Sequence, residues 1–280
     1  MKILLVGCRG MLGSELLTKL SAAHEVLGRD RKELDITVER ACREAIAAAA
    51  PDVVINAAAY TNVDACESAR EECFSVNARG VKNIALACRG TATKILHFST
   101  DYVFDGQKGS PYHEDDACRP LNVYGASKRE GERFLEALHD NFLIIRSSWL
   151  YGKRGRNFVN TILEKARSAG KLEVVTDQVG SPTSAEDLAE AAQTLIEGGH
   201  SGIVHVTNSG SCSWYDFARE ILRCGGIRKV PVLPILSGEL ARPAPRPPYS
   251  VLDCRKFSVL TGKVMRPWEE ALRASITSRQ

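Results

Sequence analysis

The chain has 280 residues, 44% apolar and 25% charged, which is the balance of a folded globular protein and excludes a disordered one. Its 37 basic and 34 acidic residues leave a net charge of +3, too small an excess for a dedicated nucleic-acid binder. No run reaches the roughly 18 apolar residues of a membrane helix. The nine cysteines form no CxxC pair, and the opening MKILLVG is too short for a secretory segment, so the cysteines are expected to be reduced fillers in a cytoplasmic protein. The six histidines show no metal-ligand spacing, so no metal site is expected.

Along the chain, Ile3–Val6 reads as a strand and Leu12–Leu20 as a helix, with apolar residues at 12, 16, 17 and 20. Glu25–Leu27 is a short strand. Thr37 is placed to cap an alanine-rich helix that ends near Ala50, before Pro51. Asp52–Ile55 is a buried-type strand, Asp64–Arg89 a long helical stretch and Lys94–Phe98 a strand. Asn122–His139 then reads as a helix and Phe142–Ser147 as a strand. In the second half, Phe158–Ser168, Ser184–Ile196 and Trp214–Arg223 read as helices and Ile203–Thr207 as a strand. Ser184 and Asp187 hold capping-box positions. Six of the eleven prolines lie between Pro231 and Pro248. That stretch reads either as an extended surface connection or as a fixed loop over a ligand site.

The alternation in the first half predicts βαβ units and a parallel sheet, with the ligand at the strand C-termini. Gly7-Cys8-Arg9-Gly10-Met11-Leu12-Gly13 follows the first strand and opens a helix. Such glycines allow a tight turn and a close approach to a pyrophosphate, and the helix N-terminus supplies N–H groups and partial positive charge. The fold class is therefore α/β, a Rossmann-type doubly wound parallel sheet with a smaller α/β C-terminal domain. Residues 1–150 are read as the dinucleotide-binding domain, with 177–196 packing back on it, and 151–280 as the substrate domain. The second strand ends in Gly28-Arg29-Asp30-Arg31. Asp30 suits the ribose hydroxyls of NADH, and arginine suits the 2′-phosphate of NADPH. Arg29 and Arg9 tilt the choice toward NADPH.

Ser99-Thr100-Asp101 closes a strand, and Tyr124-x-x-x-Lys128 shares one helix face. An ammonium beside a phenol lowers a pKa normally near ~10, which makes tyrosine a usable proton donor.

These residues together resemble the short-chain dehydrogenase/reductase superfamily, and in particular the dTDP-4-dehydrorhamnose reductase family. The likeness extends through Asn56–Thr61 with Val63-Asp64, Ser99–Gly106, Pro120–Gly125, Arg146–Trp149, Asp177–Thr183, and Arg246-Pro247 with Ser250–Asp253. The resemblance implies reduction of dTDP-4-dehydro-β-L-rhamnose by NADPH, or by NADH in some members. It implies that Tyr124 protonates the C4 oxygen, that Lys128 holds the nicotinamide ribose and lowers the Tyr124 pKa, and that Thr100 hydrogen-bonds the same oxygen. Cofactor contacts would come from Gly7, Arg9, Gly10, Met11, Leu12, Gly13, Arg29 and Ser99. Asn56, Ala57, Ala58 and Ala59 would add to them at the fourth strand end, with Asp35 and Ile36 beside the adenine. Thr61, Thr100, Asp101, Tyr102, Tyr124 and Trp149 would shape the sugar pocket. Asn157, Arg242 and Arg246 are candidates for the diphosphate.

Some members bridge a homodimer through a divalent ion held by glutamates. Glu15 and Glu190 match two such positions, but Ser275–Gln280 offers no glutamate, so a bridging metal is not expected and a homodimer stays open. The expected partner is a small-molecule sugar nucleotide, with no nucleic acid or membrane. Two other readings are a nucleotide-sugar epimerase or dehydratase of the same superfamily, and a non-catalytic regulatory subunit of the methionine adenosyltransferase type.

Overall fold

The computed structural model describes residues 1–277. The first half runs β1 (Lys2–Val6), α1 (Met11–Leu20), β2 (Glu25–Arg29), α2 (Glu39–Ala49), β3 (Val53–Asn56), α3 (Val63–Ser68) and α4 (Arg70–Phe74). A π-helical turn (Ser75–Arg79) leads into α5 (Gly80–Cys88) and β4 (Lys94–Thr100). A 3-10 turn (Asp101–Val103) precedes α6 (Val123–Leu138) and β5 (Phe142–Ser147). The second half holds β6 (Leu150–Tyr151), α7 (Phe158–Ser168), β7 (Leu172–Val175), β8 (Val179–Gly180), β9 (Thr183–Ser184) and α8 (Ala185–Glu197). It ends with β10 (Gly202–His205), β11 (Cys212–Ser213), α9 (Trp214–Cys224), β12 (Val232–Ile235), α10 (Arg255–Thr261) and α11 (Trp268–Thr277).

Six strands form one parallel sheet in the order β10-β5-β4-β3-β1-β2. Its strands are near-continuous apolar runs because both faces are covered. On one face Leu12, Leu16, Leu20, Leu188 and Leu195 pack on Leu5, Ile55, Leu96 and Ile145. On the other, Cys42, Ile46, Ile84 and Leu135 pack on Leu4, Val54, Ile95 and Ile144. The second half of the chain therefore completes the first-half sheet, through α8 and β10. A separate core of Tyr151, Ile162, Leu172, Phe217, Leu222 and Trp268 forms around α7, α9 and α11. The strand order reverses between β1 and β3, which brings the loops after these two strands side by side. The nine cysteines are all free, and no helix among the described residues is long and apolar enough to cross a membrane.

Several local expectations change. The Thr37 hydroxyl donates to Asp35 instead of capping α2, whose N-cap is Val38 without a side-chain bond. The stretch 64–89 is broken at Ala69 and by the π turn, where Asn77 turns inward to bond both the N–H and C=O of Tyr60. The Ser184 side chain makes no cap, and Asp187 pairs with Arg266 at 2.7 Å. The residues Asn56–Ala59 follow the third strand of the chain, not the fourth. The proline-rich stretch is held in place by hydrogen bonds. Its β12 pairs with β7, Asn122 donates to the Pro245 carbonyl at 2.8 Å, and Val179 donates to the Pro248 carbonyl at 2.8 Å.

One buried cation ties the layers together. Arg146 of β5, 1% exposed, donates from Nε and Nη2 to Glu132 of α6, both at 2.8 Å. Its Nη1 reaches the Glu114 carbonyl at 3.2 Å and His205 Nε2 of β10 at 3.4 Å. Arg146→Met leaves Glu132 without its main partner and is expected to lower the unfolding free energy in urea by about 3–5 kcal/mol. A loss below ~1 kcal/mol would contradict that role.

His205 adds a pH term. Burial and the Arg146 cation lower its pKa from 6.5 to about 3. The unfolded chain binds a proton there below about 6.5 and the folded chain does not, so stability falls as pH drops from about 6.5 toward 3, by ~1.4 kcal/mol per unit for this group. Urea titrations from pH 7 to 5 check this, and His205→Gln should show a shallower decline. An equal slope in both proteins would count against it.

Candidate active site

The C-terminal edge of the sheet carries the glycine loop. Gly7 sits at φ +79°, and a Cβ there would stand 2.7 Å from the Ala58 nitrogen. A Cβ on Gly13 would run into the Gly7 carbonyl oxygen, so α1 closes on the loop only with glycine at that position. The Gly7 and Cys8 N–H groups bond the Arg29 carbonyl and tie the loop to the end of β2. Met11–Gly13 form the first turn of α1, whose N–H groups lack intrahelical acceptors. This is a cradle into which only a flat or anionic group without bulk fits, and a dinucleotide pyrophosphate meets that description. The Leu12 side chain lies in the core, and Met11 lies against Gly152 and Gly155.

A cleft of about 420 Å³ continues from this cradle. Leu34, Ile36 and Val76 give it an apolar lining suited to an adenine, with Asp35 and Ala57–Ala59 alongside. Arg9, Arg31 and Lys32 supply three cations, and Arg9 pairs with Asp30 at 2.9 Å. Arg29, the arginine singled out in sequence, turns toward the Gly28 carbonyl (3.3 Å) and Glu33 (3.9 Å) instead. The cations fit an NADPH 2′-phosphate better than the uncharged ribose of NADH.

Tyr124 and Lys128 share the buried stripe of α6 with Glu132, and Asn122 caps the helix through the Gly125 N–H at 2.8 Å. A Cβ on Gly125 would collide with the Tyr102 carbonyl, so this glycine lets α6 start against the 3-10 turn. The Thr100 hydroxyl donates to Asp101 Oδ1 at 3.0 Å, accepts from the Tyr102 N–H at 3.2 Å and lies beside Tyr124. Asp101 is 2% exposed with its Oδ2 unpartnered among the described residues, and burial pushes its carboxyl up to about 7. Lys128 does not lower the Tyr124 pKa as expected. Burial pushes the phenol up, and the bond to Thr100 pulls back against it. The buried lysine satisfies itself on acceptors from β4, donating to the Phe98 carbonyl at 2.6 Å and meeting His97 Nε2 at 3.2 Å. Among the described residues the buried Ser99 hydroxyl has no hydrogen-bond partner, and Asn56, 1% exposed, spends its amide on His97 and the Ala58 N–H.

The sugar side is built from aromatic groups and the proline-rich loop. Tyr102 meets Tyr124 edge-on, with ring centroids 6.0 Å apart. Trp149 takes a left-handed backbone (φ +47°) and stacks on Trp214 at 3.5 Å. A Cβ on Gly180 would lie 2.5 Å from the Trp149 ring, so glycine makes room for it. Arg246 is pinned to Asp64 at 2.8 Å and to the Ala244 carbonyl. Arg242 lies in the same field as Arg246, Asp64 and Tyr102. Thr61 is exposed just ahead of α3. Asn157 is spent as a cap, accepting from the Asn160 N–H and donating to the Gly152 and Gly155 carbonyls. Among the described residues no group of three His, Cys, Asp or Glu side chains is placed to hold a metal, and Glu190 pairs with Lys19 at 3.1 Å.

Three participants escaped the sequence reading. Arg31 and Lys32 follow the strand end that drew attention to Arg29. His97 is a polar residue inside an apolar strand, and that misplacement was its signal.

The full chain, residues 1–280, matches the family model described as the RmlD substrate binding domain. A dTDP-4-dehydrorhamnose reductase of Streptomyces griseus is 42% identical, covering 97% of this chain and 92% of its own. The crystal structure of a dTDP-4-dehydrorhamnose reductase from Clostridium acetobutylicum is 43% identical with a TM-score of 0.97, covering all of both chains. One from Bacillus anthracis, in complex with NADP, is 37% identical with a TM-score of 0.96, covering 99% of this chain and 100% of that one. With its glycine cradle and its Thr100–Tyr124–Lys128 cluster on the edge of a parallel sheet, the chain belongs to the family of the RmlD substrate binding domain.

Proposed function

We propose that this chain reduces the C4 ketone of dTDP-4-dehydro-β-L-rhamnose to the alcohol of dTDP-β-L-rhamnose with NADPH. The observation that carries the reading is the pair of hydroxyl side chains, Thr100 and Tyr124, side by side on the sheet edge that also bears the glycine cradle. The loop Gly7–Gly13 would hold the pyrophosphate, Arg9, Arg31 and Lys32 the 2′-phosphate, and Lys128 the ribose next to the nicotinamide. The bound cofactor supplies a hydride to the C4 carbon. Negative charge then develops on the carbonyl oxygen. Tyr124, kept protonated by its burial, gives its proton to that oxygen, and solvent later replaces it. Thr100 would turn its one hydroxyl proton from Asp101 to the same oxygen and so favour the transition state over the ketone. Tyr102 and Trp149 flank the sugar, and Arg242 and Arg246 serve the diphosphate. We read residues 1–150, joined by α8 and β10, as the cofactor lobe and the remainder of 151–280 as the sugar-nucleotide lobe. The buried free cysteines support a reducing, cytoplasmic setting.

The test uses the 4-keto sugar nucleotide made in the same vessel by a dehydratase and an epimerase. One NADPH oxidised per sugar reduced is the expected stoichiometry. Turnover without cofactor loss would identify an epimerase, and no turnover with intact NADPH binding a regulatory protein. Tyr124→Phe should lower kcat by about 100-fold or more while the Kd for NADPH stays within about twofold, a factor worth well under 1 kcal/mol. Near-normal turnover in this variant would remove Tyr124 from the mechanism.

A further inference from the structure

The Thr100 hydroxyl has one hydrogen and two lone pairs, and its neighbours can be counted against them. The Tyr102 N–H, which can only donate, takes one lone pair at 3.2 Å. Asp101 Oδ1 lies 3.0 Å away. An ionised carboxylate can only accept, so it takes the one hydrogen, and Thr100 then has none left for a substrate oxygen. A protonated carboxyl can donate. Its O–H fills the second lone pair, and the Thr100 hydrogen is free to turn elsewhere. The other carboxyl oxygen, Oδ2, is buried and has no partner among the described residues. A negative charge on this residue, 2% exposed, is thus poorly supported.

We propose that Asp101 is a positioning residue acting through Thr100, and that its protonated form is the one in which the Thr100 hydroxyl reaches the C4 oxygen. The substrate oxygen in this statement rests on the reductase reading. Turning the hydroxyl away from an ionised Asp101 would strip a buried carboxylate of the side-chain donor it has at Oδ1. An ionised Asp101 would also oppose the phenolate that Tyr124 becomes on giving up its proton. Tyr102 of the same turn and Tyr124 of α6 are the phenols that feel the carboxyl. Ser250 faces it from the chain ahead of α10. Arg242 and Arg246 of the proline-rich loop act on Tyr102 beside it, as does Asp64 of α3. Lys128 stands one turn beyond Tyr124 on α6. Burial outweighs the hydrogen bonds that favour the charge and brings the carboxyl to about 7. Asp101 is then mostly protonated at pH 6 and mostly ionised at pH 8. No proton leaves Asp101 in the reaction, since Tyr124 supplies the one that the alcohol keeps.

Carbon-13 NMR of the cofactor-free protein, labelled at the aspartate carboxyl carbons, reads the charge directly. Asp35, Asp64, Asp105, Asp116, Asp177 and Asp253 are all held below the ordinary carboxylate value, so a carboxyl titrating near 7 stands apart from them. A midpoint of about 6 or higher is expected, and a lower one for every aspartate would overturn the proposal. This readout needs neither sugar nor cofactor and stands even if a variant fails to fold. Single-turnover oxidation of NADPH by the wild type, with the 4-keto sugar nucleotide, should then slow by about tenfold from pH 6 to pH 8, the change in the protonated fraction. Asp101→Asn carries an amide that donates at every pH. Whatever its absolute rate, its own fall between pH 6 and pH 8 should be less than about threefold, the remainder belonging to the Lys128 amine, which titrates at about 8. An undiminished tenfold fall in Asp101→Asn would refute this proposal and leave the reductase reading intact. A wild type that never oxidises NADPH would refute the reductase reading, while the carboxyl midpoint still decides the state of Asp101.

Discussion

Arg146 reaches from near the C-terminal end of β5 into the underside of α6, and the whole site depends on where it holds that helix. Both oxygens of Glu132 accept from its guanidinium, at 2.8 Å each, with neither side chain more than 1% exposed. A pair this deep is stabilising only if its remaining donors are satisfied. Here they are, by the Glu114 carbonyl, His205 and the Cys118 sulfur, with the Phe104 ring 5.2 Å away. Those partners come from β10 and from the loop that holds both Glu114 and Cys118. The guanidinium thus fixes β5, β10, α6 and the loop over residues 112–118 relative to one another.

What α6 presents follows from its period. Tyr124, Lys128 and Glu132 are four residues apart and lie along one stripe of the helix. Fixing Glu132 at the sheet therefore sets the register of the other two. Lys128 then reaches the Phe98 carbonyl and His97, and Tyr124 reaches the Thr100 hydroxyl. The N-terminal end of the helix is held separately, by the Asn122 cap and by the proline-rich loop that Arg246 clips to Asp64. The stripe is anchored at both ends, on the sheet edge that also bears the glycine cradle.

Much of this was legible. The helix over Phe158–Ser168 and the strand over Phe142–Ser147 match the sequence reading residue for residue, because their apolar spacing and flanking residues agree. The glycine loop and the Tyr124–Lys128 pair were singled out from their spacing, and Thr100 took its role from the family resemblance. Side-chain direction was not legible. Arg29 and Arg31 are chemically identical, and only the fold decides that Arg31 lines the cleft. The break in 64–89 depends on Asn77 bonding Tyr60, seventeen residues away, which no local pattern encodes. The relation between Lys128 and Tyr124 went wrong for a similar reason. The Phe98 carbonyl that claims the lysine belongs to β4, 30 residues away in sequence, and burial acts on the phenol in the opposite direction from the expected charge.

The central claim is that the substrate's C4 carbon receives a hydride while Tyr124 of α6 delivers a proton to its oxygen. Running the reaction with NADPH deuterated at the transferred position of the nicotinamide C4 tests it most directly. The account predicts one non-exchangeable deuterium on C4 of the product sugar, and none on that carbon when only the solvent is deuterated. A product whose C4 label comes from solvent, or a label that stays in the cofactor while the sugar is isomerised, would contradict it.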